Sequence, residues 1–345
     1  MTHPLQTVQS CLLTTAGLAG GARLLRRLLR RAFPGAVRVL YCHDVLPDSG
    51  RCPTSLLPSS RGRARVEGYL HAAEFERRLL HLKRHYGFIS LEQAIARLSG
   101  EERARGIRVL LTFDDGYRGV FDQGYPVLSR HGIPALICVA TSEVGGPGLW
   151  TDAVRNAAGW LVLAGADALV EKLKRLPDAD RRCAVDDLCR RAGPAIEQAR
   201  RMLDWDELRR LASDPLIAIG AHTMTHPILS TQPDAEAEAE IAGSRREIER
   251  QLGIAPIAFA YPNGSAADFT PAHARMAQAA GFRVAFSTIP GLARPGCDLF
   301  AVGRTCLVNE PWPRFVLRMA GLDDLGARRA RPAADAGAPV VARDG

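Results

Sequence analysis

The chain has 345 residues, 47% of them hydrophobic, which is enough for two or three average domains or one large α/β barrel and excludes disorder of the whole chain. No apolar run reaches the roughly 18 uncharged residues of a membrane-spanning helix. Lys and Arg outnumber Asp and Glu by 45 to 37, but that excess lies largely in residues 23–31 and 51–65 and aromatics are only 6%, so a base-stacking groove is a poor fit and no nucleic-acid partner is expected.

The first 35 residues read as a basic amphipathic segment. The apolar stretch 11–21 lies before the arginines instead of after them, so it does not read as a secretory signal. Residues 24–31 repeat Leu-Leu-Arg-Arg, which on a helix sets four leucines on one stripe and four arginines opposite. Such a helix suits peripheral contact with an anionic membrane, and equally suits packing on the protein's own body. Eight scattered cysteines without a CxxC point to a reducing compartment, and Cys42, Cys138 and Cys306 sit in apolar, strand-like runs. The expected location is cytoplasmic, with the inner membrane face within reach.

From residue 36 an alternation begins. Strands are predicted at residues 37–42, 109–113, 135–140, 216–220, 257–261 and 283–287, and helices at 72–86, 91–98, 119–131, 235–252 and 271–280. Gly87, Gly132, Gly253 and Gly281 fall where helices end and extended runs begin. Alternating βα units with apolar strands imply a parallel sheet, and their number favours a distorted or incomplete (β/α) barrel over residues 36–320. Residues 151–203 have helical pattern without a strand and read as an insertion on one barrel loop. Residues 321–345, rich in Ala, Arg, Pro and Asp, read as a disordered tail.

Chemistry-bearing residues collect where predicted strands end. Asp114 and Asp115 follow 109–113, and adjacent carboxylates on an apolar strand end need a cation or a shared proton, although Asp-Gly alone is a turn signal. His222 and His226 follow 216–220, with Pro227 opposing helical geometry at His226. Joined to an aspartate from another strand, they make a candidate two-His, one-carboxylate metal site. Tyr261-Pro262-Asn263-Gly264 is a turn whose backbone N–H groups could face an oxyanion. His43 and Asp44 end the first strand. In a (β/α) barrel these ends share one face, where barrel enzymes build their sites.

Over residues 36–310 these motifs resemble the NodB-type polysaccharide deacetylases of carbohydrate esterase family four. Thr112-Phe113-Asp114-Asp115-Gly116 is similar to that family's first motif, which implies Asp114 as catalytic base and Asp115 as metal ligand. Residues 222–226 are similar to the second motif, which implies His222 and His226 as the other ligands. Pro262-Asn263-Gly264 resembles the third motif, but Ala260 stands in place of its arginine and Asn263 in place of its tyrosine, and Arg304 is the expected substitute for the arginine. Asn263 would still offer its backbone N–H, with Tyr261 beside it. His43 resembles the family's histidine motif relocated to the first strand, and Trp150 resembles the aromatic that lines the acetyl pocket.

The resemblance implies a hydrolase that uses Zn²⁺, or Co²⁺, Ni²⁺ or Fe²⁺, to remove N-acetyl groups from an amino-sugar polysaccharide, oligosaccharide or lipid-linked sugar, as in exopolysaccharide biosynthesis. His43 would protonate the departing amine. Three other readings stand beside it: hydrolysis of another non-peptide amide, an Fe(II) oxygenase, which leaves Asp114 without a role, and a non-catalytic carbohydrate-binding barrel.

Overall fold

The computed structural model describes residues 15–48, 69–102, 105–160, 165–193, 202–322 and 324. Two compact units divide the chain: residues 34–309, and the N-terminal segment to Phe33 together with residues from Glu310 onward.

The larger unit is built on seven parallel strands: β1 (Val37–Cys42), β4 (Arg108–Phe113), β5 (Ala135–Val139), β6 (Ile217–Ala221), β7 (Ala258–Ala260), β8 (Val284–Phe286) and β9 (Thr305–Cys306). Their order is β8-β7-β6-β5-β4-β1-β9, so the chain starts one strand from an edge, crosses the sheet strand by strand to β8, and returns to add β9 outside β1. The sheet curls into a half-barrel. The Val302 N–H donates to Ala285 at 3.0 Å and the Ser287 N–H to Val302 at 2.8 Å, while Thr305 pairs with Leu40. Single hydrogen bonds, not a ladder, thus link the two edges. A separate parallel pair, β2 (Asp44–Leu46) with β3 (Tyr69–His71), stands outside the predicted strands, and the basic stretch 51–65 between them lies outside the described residues.

Alternate residues of the strands build one interior. Val37, Val39, Leu110, Leu136, Cys138, Ala258, Ala260, Val284 and Phe286 are buried in a single cluster. Helix α3 (Leu91–Leu98) joins that cluster with Leu91, Ala94, Ile95 and Leu98, near the start of β4. The opposite strand faces carry helices, as where Phe75 of α2 (Ala72–His85) meets Phe113 with ring centroids 5.9 Å apart. Before α4 (Tyr125–His131) the predicted helix over 119–131 opens as a π-helical turn, Val120–Gly124. A Cβ on Gly119 would strike the Asp44 carboxylate and the Val45 carbonyl, so only glycine lets the turn approach β2. The four glycines predicted to stop helices all take positive φ, from 58° at Gly132 to 97° at Gly281.

Within 151–203 the structure has three helices, α5 (Trp150–Trp160), α6 (Ala166–Leu173) and α7 (Asp178–Ala192), and residues 161–164 and 194–201 lie outside the described set. Val154, Ala157, Val170, Leu173, Val185 and Leu188 give these helices a core of their own. Next come α8 (Trp205–Ala212), α9 (Asp234–Leu252) and α10 (Pro271–Ala279).

The smaller unit contains α1 (Thr15–Ala32) and α11 (Trp312–Met319). The leucine stripe of α1 is split: Leu29 is buried and touches Gly321, whereas Leu24 and Leu28 are 60% and 50% exposed. Residues 325–345, which include almost all of the predicted tail, lie outside the described residues, as do residues 1–14.

Candidate functional site

Strand register assembles the site. The β1–β4 ladder ends at Cys42 opposite Phe113, so His43 and Asp114 leave the sheet side by side. The β5–β6 ladder ends at Val139 opposite Ala221, and the His222 N–H donates to the Val139 carbonyl at 2.9 Å. Side-chain alternation aims Thr112 and Asp114 inward behind Leu110, and His222 inward behind Gly220. Strict alternation would turn Asp115 away. Its φ of 74° breaks the alternation instead. Thr223, His226 and Asn263 have φ of 65°, 58° and 59°, so every non-glycine residue with positive φ among the described residues lies in these strand-end loops. Each such residue costs on the order of 1–3 kcal/mol, a strain that concentrates where function demands a fixed geometry.

Asp115, His222 and His226 converge. Asp115 Oδ1 lies 3.3 Å from Nε2 of each histidine, and the three donor atoms all fall within 4.8 Å of one another. His222 Nδ1 is 2.7 Å from the Ala260 carbonyl, so it carries the ring proton and leaves the Nε2 lone pair free to ligate. Two imidazoles and one carboxylate with their donor atoms gathered on one point fit a divalent first-row ion with open positions. Burial would raise the Asp115 carboxyl, but the two imidazoles outweigh it and hold it well below the usual range. Burial lowers His226, favouring the neutral ring that a metal requires.

Asp114 is 2% exposed and gripped from behind. Arg304, fully buried, donates from Nη1 to Oδ1 and from Nη2 to Oδ2, both at 2.7 Å. The guanidinium is itself fixed: Nε donates to the Ser287 carbonyl at 3.0 Å, Nη1 also reaches the Thr112 hydroxyl at 3.1 Å, and the Tyr41 ring lies 4.8 Å away. Burial pushes the Asp114 carboxyl up, but Arg304, with help from His222, brings it below its ordinary value. The structure therefore places Arg304, from just before β9, against the carboxylate that lacks an arginine partner at Ala260.

The remaining sequence-predicted residues divide. His43 lies between Tyr41 and Tyr69, each ring centroid 5.7 Å away, close enough for its field to act on both Asp114 and Asp115. Trp150 donates from its indole to the His226 carbonyl at 3.3 Å and stacks under the Arg181 guanidinium at 4.7 Å. Asn263 commits its side chain to Lys174 at 3.0 Å and Asp268 at 2.6 Å, and its carbonyl to the Thr288 hydroxyl at 2.7 Å. Tyr261 does not join the centre. Its ring stacks on Phe269 at 4.0 Å and its hydroxyl donates to the Phe300 carbonyl at 2.9 Å, because the residue after inward-facing Ala260 points to the other face of β7.

Three residues that touch the site loops carried no sequence signal. Glu240 of α9 accepts hydrogen bonds from the loop between His222 and His226, and Lys174 and Arg181 of the insertion reach Asn263 and Trp150. Glu240 stands in the run Asp-Ala-Glu-Ala-Glu-Ala-Glu, where nothing but packing distinguishes it from Glu236 and Glu238.

The family model described as polysaccharide deacetylase matches residues 101–285. Among solved structures, IcaB from Ammonifex degensii is 22% identical, with a TM-score of 0.56 over 82% of this chain and 96% of its own. The Streptococcus pyogenes deacetylase PplD, solved with acetate, is 18% identical, with a TM-score of 0.57 over 83% of this chain and 98% of its own. The BpsB deacetylase domain from Bordetella bronchiseptica is 19% identical, with a TM-score of 0.51 over 79% and 96%. None of the curated proteins matches. The fold and its strand-end site thus define a NodB-type (β/α) barrel hydrolase. The chain belongs to the polysaccharide deacetylase family and is a hydrolytic deacetylase. That membership sets aside the oxygenase and the non-catalytic readings, and it implies an N-acetylated carbohydrate as substrate.

Proposed function

We infer that the protein hydrolyses the N-acetyl amide of an amino sugar, carried on a polysaccharide, an oligosaccharide or a lipid, with Asp115, His222 and His226 as its metal ligands. The observation that carries this reading is the pairing, at one set of strand ends, of a two-His, one-Asp cluster with a second carboxylate locked by a buried arginine. A divalent ion held there, Zn²⁺ or a Co²⁺, Ni²⁺ or Fe²⁺ equivalent, supplies Lewis acidity that polarises the acetyl carbonyl and acidifies water.

Asp114 takes the proton of the attacking water. Arg304 fixes both of its oxygens, keeping the carboxylate ionised and correctly turned. With the Asn263 side chain and carbonyl engaged elsewhere, its backbone N–H is assigned to the oxyanion that develops on the acetyl group. His43 delivers a proton to the sugar nitrogen as the carbon–nitrogen bond breaks, giving acetate and a free amine. Trp150, held by the His226 carbonyl and by Arg181, forms a wall for the acetyl methyl.

Acetate release from N-acetylated oligosaccharides tests the reading directly. A chelator should abolish release, and added Zn²⁺ should restore it. His222→Ala and His226→Ala should each lose bound metal and activity together, because two ligands are too few for tight binding. Full metal content in both variants would refute the ligand assignment.

A further inference from the structure

Between its two histidines the chain makes a turn containing left-handed Thr223, and it enters His226 left-handed as well. Neighbouring elements hold the backbone of this turn on several sides. From the strand β5 side, the Thr141 N–H donates to the Thr223 carbonyl at 3.1 Å and the Ser142 N–H to the Met224 carbonyl at 2.9 Å. Inside the turn, the Thr223 hydroxyl accepts the His226 N–H at 3.1 Å.

Three further donors of the turn meet one side chain. Glu240 Oε2 accepts the Met224 N–H at 2.7 Å and the Thr225 N–H at 2.9 Å, and Oε1 accepts the Thr225 hydroxyl at 2.8 Å. Successive backbone N–H groups that point the same way form a concavity suited to an anion, and a carboxylate fills it with charge-assisted bonds. One turn further along α9, a Cβ on Gly243 would collide with the Met224 sulfur, so the missing side chain there makes room for Met224. Positions 240 and 243 lie three apart, on one helix face. Together they form a socket for the loop, an anion for its backbone and a gap for its side chain.

We propose that Glu240 is a positioning residue of the metal centre. By holding the loop midway between its two ligands, it keeps the Nε2 atoms of His222 and His226 converged on Asp115. The proposal rests on the metal reading above. Outer partners that orient ligands typically govern metal affinity by ten- to a hundredfold. A merely structural contact would lower the stability of the fold without selecting the metal.

Zn²⁺ competition against a chelating indicator, on the full chain, separates the two, with the melting temperature of the metal-free protein measured alongside. Glu240→Ala should weaken Zn²⁺ binding on the order of ten- to a hundredfold. Glu240→Gln keeps an oxygen for the two N–H groups but loses the charge, so it should fall between Glu240→Ala and the parent, with a metal-free melting temperature close to that of the parent. Should Glu240→Ala fail to fold, Glu240→Gln decides. Parent-like Zn²⁺ affinity in the Gln variant, or a loss of melting temperature without a loss of affinity, overturns the proposal. His226→Ala is the control. If it too binds Zn²⁺ like the parent, the metal reading itself fails; if only His226→Ala is weak, the positioning role fails alone.

Discussion

Asp114 and Asp115 are neighbours in sequence with opposite surroundings. Asp115 faces two imidazoles, whereas Asp114 faces a buried guanidinium. Asp114→Asn should therefore keep the metal but lose about two to four powers of ten in turnover, as expected for a missing general base. It should also cost roughly 3–5 kcal/mol of stability, since it strands the Arg304 charge in the interior. The pH dependence follows from the lowered Asp114 carboxyl. Its stabilising contribution is complete above the unfolded value of about 3.9 and disappears as pH falls through the lower native value. Urea unfolding should then show a parent-to-variant gap that is constant above about pH 5 and narrows below about pH 4; a gap that widens toward acid would contradict the ion pair. His43 gives a different signature. As a proton donor to the leaving amine it matters for amides and not for activated aryl acetate esters, so His43→Ala should depress amide hydrolysis far more than ester hydrolysis. Equal losses would reduce it to a structural residue between Tyr41 and Tyr69.

At the scale of elements, the strand ends are rigid because the barrel interior behind them is filled, and α3 contributes to that filling. Its start is fixed by a capping box, in which the Ser90 hydroxyl accepts the Gln93 N–H at 3.3 Å and Gln93 returns a bond to the Ser90 N–H at 3.0 Å. Ser90→Ala should lower unfolding free energy by about 1 kcal/mol. Because α3 packs near the start of β4 and the ligands follow the strand ends, Zn²⁺ affinity should not change. A matching loss of affinity would mean that helix packing at that end reaches the site. The insertion helices act in the other direction. Lys174 and Arg181 extend from the insertion to Asn263 and Trp150, so it touches two of the candidate site residues.

At the scale of the whole chain, α1 presents Leu24 and Leu28 to solvent while Leu29 packs toward Gly321, with Arg23, Arg27, Arg30 and Arg31 exposed. Exposed leucines beside arginines favour reversible contact with an anionic surface, each arginine contributing on the order of 1 kcal/mol. Such contact at the inner membrane face of the cytoplasm would suit a lipid-linked substrate. Vesicles containing anionic lipid should co-sediment with the full chain at low salt, less so at high salt, and less with a chain lacking residues 1–35. Equal binding by the shortened chain would end the membrane reading.

Periodicity and punctuation were enough to read the barrel from the sequence, because apolar alternation and helix-stopping glycines are local effects. The Asp-Asp and His-x-x-x-His motifs are legible for the same reason: residues that follow a single strand end lie close together in the sequence. Register and packing decided the rest. Tyr261 reads as part of a site motif, yet strand alternation turns it to the opposite face. The two-residue strand β9 is too short for any periodic signal, and it exists because Leu40 and Tyr41 offer it a ladder. Arg304 could be named in the sequence only as a candidate, since its partner lies 190 residues away and only closure of the sheet brings them together. Glu240 is beyond the reach of the sequence altogether: three glutamates alternate with alanine along α9, and the direction in which that helix packs selects the one that meets the loop between His222 and His226.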